Sequence, residues 1–131
     1  MAWQFSAQQP IYLQIVDTLA LQIISGAYVR GQRLPSVREL ALEAAVNPNT
    51  MQRALSELER KGLVTTQRTS GRTVTQDEEI IMESKKERAA QLAAVFVEQM
   101  TLLGFHHAEI LELIQSRTID DGKEALDGNH A

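Results

Sequence analysis

The chain has 131 residues, no cysteine and a formal net charge of −4 at pH 7. That length suits one modest domain or a small domain with an appendage, and the missing cysteines exclude disulfides and thiolate metal sites, which fits a reducing cytoplasm. No apolar run approaches the roughly 18 residues of a membrane span, and Met1–Pro10 lacks a basic stretch followed by an apolar one, so neither a spanning helix nor a secretory signal is expected.

The first periodic segment covers residues 10–25. Tyr12, Ile15, Val16, Leu19 and Ile23 follow the stripe of an amphipathic helix, with Pro10 placed to start it and Gly26 to end it. Gly26 to Pro35 reads as a loop with a short extended stretch near Gln32–Leu34. Residues 36–44 form a second, short helix, because Ser36 followed three residues later by Glu39 is a capping box; Val37, Leu40 and Ala41 face inward. Asn47-Pro48 then pairs a strong helix cap with a residue favoured at the first helical position. A third helix is therefore expected from there to about Lys61, burying Met51, Ala54, Leu55 and Leu58, with Gly62 as its stop.

Two short Val/Thr-rich strands follow, Leu63–Gln67 and Arg72–Thr75. The turn Arg68-Thr69-Ser70-Gly71 joins them into a hairpin with a basic tip. From Asp77 to Leu103 the pattern is helical and long, and Ala89, Leu92, Ala93, Phe96, Val97, Met100 and Leu103 give it a wide apolar face. Gly104 breaks it, and a last short helix spans roughly His107–Arg117. The expected domains are 1–75, a winged helix-turn-helix; 76–117, a helical dimerisation region; and 118–131, a flexible tail.

The order helix, short helix, tight turn, helix, hairpin is that of a winged helix-turn-helix: a mainly α fold with one small β-hairpin. Such a fold presents the N-terminal residues of its second paired helix to base edges in the major groove. This sequence places Asn49, Thr50, Gln52 and Arg53 there. Asn and Gln match adenine, Arg matches guanine or phosphate, and Thr matches phosphate or a thymine methyl. Arg38 lies near the start of the preceding helix, in reach of the DNA backbone, and Arg68 and Arg72 flank the hairpin tip. Charge follows the same division. Residues 1–74 carry eight Lys/Arg and five Asp/Glu, whereas residues 75–131 carry five and twelve. Phosphate neutralisation needs local positive charge rather than a global excess.

Three stretches carry a family resemblance: Leu34-Pro35-Ser36-Val37-Arg38-Glu39-Leu40-Ala41, then Val46-Asn47-Pro48-Asn49-Thr50-Met51, then Leu55-x-x-Leu58-Glu59-x-x-Gly62-Leu63-Val64. Together they resemble a GntR-family DNA-binding domain. The opening Pro10-Ile11-Tyr12-x-Gln14-Ile15 is similar to that family's first helix, and Asn-Pro-Asn-Thr and the short helical C-terminus resemble its YtrA subfamily. The resemblance covers roughly residues 8–115 and is strongest in the first 75. It implies a cytoplasmic repressor-like regulator of double-stranded operator DNA, homodimeric through its C-terminal helices, of a kind that often governs transporter operons and its own gene. It carries a phosphate contact onto Arg38 and DNA contacts onto Asn47, Asn49 and Thr50. The wing departs from the family's Gly-x-Gly-Thr-Phe-Val: here Ser70-Gly71-Arg72-Thr73-Val74 puts Arg72 in place of a Gly. His106 stands where the subfamily favours a serine cap.

Plainer readings stand beside these. Arg53 and Arg60 suit solvated helix charges, Arg38 suits pairing with a carboxylate, Asn47 suits a pure cap, and Arg68 and Arg72 suit charges that blunt a hairpin edge. The stripe over 89–103 reads either as one subunit's core or as an intersubunit seam through Leu92, Phe96, Val97, Met100 and Leu103. The seam is preferred, because a domain of about 75 residues closes its own core and a helix of about 40 Å needs something else to bury against. Adjacent His106 and His107 fit helix ends better than a metal site. No glycine-rich phosphate loop or nucleophile–base pair is present, so no enzyme and no cofactor are expected. A small-molecule effector is expected only by analogy with the family, and the sequence names none.

Overall fold

The computed structural model describes residues 3–69 and 71–117. In chain order the elements are α1 (Ile11–Ile24), α2 (Val37–Ala44), α3 (Pro48–Arg60), β1 (Val64–Gln67), β2 (Gly71–Val74) and α4 (Glu78–Leu102), and residues 107–117 are helical again. The expected flexible tail, 118–131, and Ser70 lie outside the described residues.

Each boundary has a local cause. α1 starts after Pro10 without a side-chain cap. Its first turn is instead tied to the preceding segment by Gln14, whose Nε2 donates to the carbonyls of Ser6 and Gln9 at 2.8 Å each. α2 has the full capping box: the Glu39 amide donates to Ser36 Oγ at 3.1 Å, and the Ser36 amide donates to Glu39 Oε1 at 3.0 Å. Ala45 ends α2 in the left-handed region, φ 57°, where a side chain costs about 1–2 kcal/mol relative to a helical residue. That conformation reverses the chain, and Asn47 caps α3 only two residues later.

α1, α2 and α3 close one core. Ile15, Val16, Leu19 and Ile23 from α1 meet Leu40, Ala41 and Ala44 from α2 and Met51, Ala54, Leu55 and Leu58 from α3, all buried. The apolar stripes expected from periodicity on these helices are the buried ones, with Tyr12 and Val37 partly buried at the margin. Leu63, Val64 and Val74 seal the open end from the root of the hairpin.

β1 and β2 pair antiparallel, with Val64 opposite Val74 and Gln67 opposite Gly71. The extended stretch expected near residues 32–34 is a single bridge, Arg33 to Thr73. It is flanked by Val74 N–H donating to the Gln32 carbonyl at 2.8 Å and Leu34 N–H donating to the Arg72 carbonyl at 2.9 Å. The loop before α2 is therefore fixed to the far edge of the hairpin. Gly62, at φ +82°, turns the chain out of α3, and an added Cβ there would lie 3.2 Å from Ile80 Cδ1. The positive φ favours glycine, and a side chain there would also have to push the end of Ile80 aside.

The chain divides into two compact units between Lys86 and Glu87, inside α4. The first turns of α4 belong with the winged unit because Ile80 and Ile81 pack on its core. In the second unit Met100 and Ile110 are buried, at 8% and 3% exposure, whereas Leu92, Phe96 and Leu103 are 57%, 39% and 73% exposed. Gly104, φ +96°, ends the long helix. His106 then opens the last helical stretch: its amide donates to Glu109 Oε1 at 2.9 Å, and its carbonyl accepts from the Ile110 amide at 3.0 Å.

Candidate nucleic-acid interface

The start of α3 is polar and outward because its opposite face is committed to the core. Met51, Ala54, Leu55 and Leu58 are fully covered, which on a 3.6-residue period leaves 49, 52, 53 and 56 on the other side. Asn49, Gln52 and Arg53 are exposed there and Thr50 is half-buried. Asn47 caps the helix: its Oδ1 accepts from the Asn49 amide at 2.7 Å. Its side chain is exposed, so capping leaves its amide group accessible.

Arg53 does not wave freely. Its guanidinium carbon lies 3.8 Å from the centroid of the Tyr12 ring on α1, a cation–π contact of about 0.5–1 kcal/mol at an exposed site. Gln52 Nε2 donates to Ser56 Oγ one turn on, at 3.4 Å. Arg38 is exposed on α2 and makes no hydrogen bond or ion pair among the described residues. Arg60 pairs with Glu57 on its own helix, as a solvated helix charge does, and this pairing holds the Glu57 carboxyl below its ordinary range.

At the hairpin, Arg68 is exposed near the tip and Gly71 is exposed at the start of β2. Arg72 follows on β2, opposite Thr66, and its side chain turns to α3. Its Nε donates to Glu59 Oε1 on α3 at 2.8 Å, with the two side chains only 18% and 32% exposed. The Thr66 hydroxyl and then Arg72 pull the Glu59 carboxyl below the usual carboxylate range. The arginine that replaces a family glycine is thus a strut between the wing and α3, a contact between residues 13 apart in sequence that periodicity does not reveal.

Arg33 is the residue that sequence reasoning passed over. The bridge to Thr73 carries it to the hairpin edge, where its Nε would lie 3.8 Å from a Cβ on Gly71. Its sequence signal was weak: one basic residue in a loop, two before Pro35. Among the described residues no helix is long and apolar enough to cross a membrane, and no group of His, Cys, Asp and Glu could hold a metal ion.

Comparison with known proteins agrees with this geometry. Residues 11–74 match the model of the bacterial regulatory proteins of the gntR family. The chain is 42% identical over 115 residues to the uncharacterized HTH-type transcriptional regulator YhcF of Bacillus subtilis, covering 88% of this chain and 95% of that one. It is 41% identical over 68 residues to the HTH-type transcriptional repressor YtrA of the same organism, about half of each chain. A solved GntR family transcriptional regulator from Listeria monocytogenes superposes with a TM-score of 0.78 at 38% identity, covering 86% of this chain and 98% of that one. These relatives are regulators, not enzymes.

Proposed function

The chain belongs to the GntR family and is a DNA-binding transcription regulator, and from that premise we propose that it is a repressor that grips a near-palindromic operator as a homodimer. Each subunit lays the start of α3 in one major groove. Asn49, Thr50, Gln52 and Arg53 meet base edges, while Asn47 and Arg38 meet the backbone. Arg68, Ser70 and Gly71 bring the wing to the neighbouring phosphates. The observation that carries this reading is the polar face of α3, left outward by the burial of Met51, Ala54, Leu55 and Leu58.

Dimerisation through the second unit is supported by the apolar surface that one copy leaves open. Leu92, Phe96 and Leu103 are exposed and Val97 is half-buried, while Met100 is already covered within its own chain. A two-fold pair offers the simplest way to remove that surface from water. Half-sites would then lie about 34 Å apart, or a multiple of that. Repression would follow from occlusion of the promoter, in keeping with the repressor named among the relatives. Control of a transporter operon and of its own gene rests on the YtrA resemblance alone.

The test is a gel shift on DNA upstream of the chain's own gene, followed by footprinting. The expected result is a salt-sensitive complex protecting two symmetric half-sites. Arg38→Ala should weaken binding to all sequences alike, whereas Gln52→Ala should relax preference at one position. No complex at low salt, or the reverse pattern in the two variants, would overturn the role assignment.

A further inference from the structure

Beside the base-reading face lies a separate cleft of about 390 Å³, lined among others by Arg33, Ser36, Arg38, Glu39, Gly71 and Arg72. It is built where the loop before α2, the start of α2 and the hairpin meet, and the Arg33–Thr73 bridge holds those walls together. Three guanidinium groups border it, and their partners differ. Arg72 is neutralised by Glu59. Arg33 and Arg38 make no hydrogen bond or ion pair among the described residues. The carboxylate in the cleft, Glu39, is occupied by the capping box, accepting from the Ser36 amide at 3.0 Å, and it feels Arg33 only through space. The cleft therefore holds two exposed guanidinium groups with no hydrogen-bonded or ion-paired partner among the described residues, and one carboxylate engaged by the capping box that attracts Arg33 only at a distance.

We propose that this cleft is a seat for a DNA backbone phosphate, and that Arg33 is a phosphate-contacting residue alongside Arg38. The proposal rests on the DNA-binding reading above and adds to it a residue that the sequence did not single out. A planar guanidinium suits the paired oxygens of a phosphodiester. Two such groups, one at the start of α2 and one on the loop that a backbone bridge ties to the hairpin, fix the height of the hairpin over the duplex as well as adding affinity.

The experiment compares wild type, Arg33→Ala, Arg33→Lys and Arg38→Ala for binding to a random-sequence 25-base-pair duplex at several salt concentrations. A lost phosphate contact lowers the slope of log affinity against log salt by about 0.9. Over a fourfold rise in salt, wild type should then lose roughly 3.5-fold more affinity than Arg33→Ala. Arg33→Lys should restore most of the slope, because it keeps the charge. The bridge opposite Thr73 is made by the backbones of Gln32 and Leu34 on either side of Arg33, so the melting temperature of Arg33→Ala should stay at the wild-type value. A slope equal to wild type in Arg33→Ala overturns the proposal while leaving the DNA-binding reading intact. Weaker binding with an unchanged slope and a lowered melting temperature also overturns it, by showing a structural role. Failure of wild type to bind any duplex overturns the reading beneath it, and the seat with it.

Discussion

The contact between Arg72 and Glu59 should stabilise the fold rather than bind DNA. The pair is 2.8 Å apart with side chains 18% and 32% exposed, so it lies between an exposed ion pair, worth about 0–1 kcal/mol, and a shielded charged hydrogen bond, worth about 1.5–3 kcal/mol. A coupling of about 1.5 kcal/mol follows. For a domain of this size each kcal/mol moves the melting temperature by roughly 4–8 °C, so breaking the strut should lower it by roughly 6–12 °C. The perturbation is a double-mutant cycle of Arg72→Met and Glu59→Gln, chosen to keep side-chain volume and the apolar stem of the arginine. Unfolding is followed by urea and by heat at one protein concentration, because association, as proposed for the second unit, makes the melting point depend on concentration. Arg72→Met should also leave the salt slope of DNA binding near the wild-type value. A coupling energy below about 0.3 kcal/mol, the usual scatter of independent sites, would refute the strut. So would a slope shallower by about one, which would return Arg72 to the phosphates.

Ala45→Gly should raise stability by about 0.5–1 kcal/mol in urea unfolding, because the left-handed penalty at φ 57° exceeds the added entropy of glycine in the unfolded chain; a loss of stability would contradict that balance. Phe96→Asp should leave the fold intact, since Phe96 is 39% exposed within its own chain. It should raise the dimer dissociation constant roughly 30–100-fold by placing a charge in an apolar seam, read by sedimentation, and a variant that stays dimeric would remove Phe96 from the interface. Acid should destabilise the protein. The Glu57 and Glu59 carboxyls are held below their ordinary value in the fold, so the stability they add is complete above the ordinary glutamate pKa of 4.5 and is lost as pH falls through the lowered values. Urea midpoints between pH 7 and pH 3 should show this decline, and Glu59→Gln should lose less over that range than wild type.

Much of the winged unit was legible because its signals are local. A capping box at Ser36 and Glu39, an Asn-Pro start at 47–48 and a glycine stop at 62 each act through backbone groups within a few residues, so the sequence states them directly. The stripes on α1 and α3 were legible for a related reason. Helical period alone decides which side chains share a face, and a chain with one core must bury the apolar one. The polar face of α3 follows as the complement.

What the sequence could not settle was which charges are spent within the protein. Arg53, Arg60, Arg68 and Arg72 look alike in a string of letters. Tertiary structure lays Arg53 on the Tyr12 ring, pairs Arg60 with Glu57, leaves Arg68 exposed, and turns Arg72 to Glu59. It also lifts Arg33 out of an unremarked loop to the hairpin edge. Backbone geometry is dictated within a turn or two of chain, and residues carry that information in their own chemistry. The partner of a long charged side chain depends on where distant segments come to rest, and only the closed core fixes that.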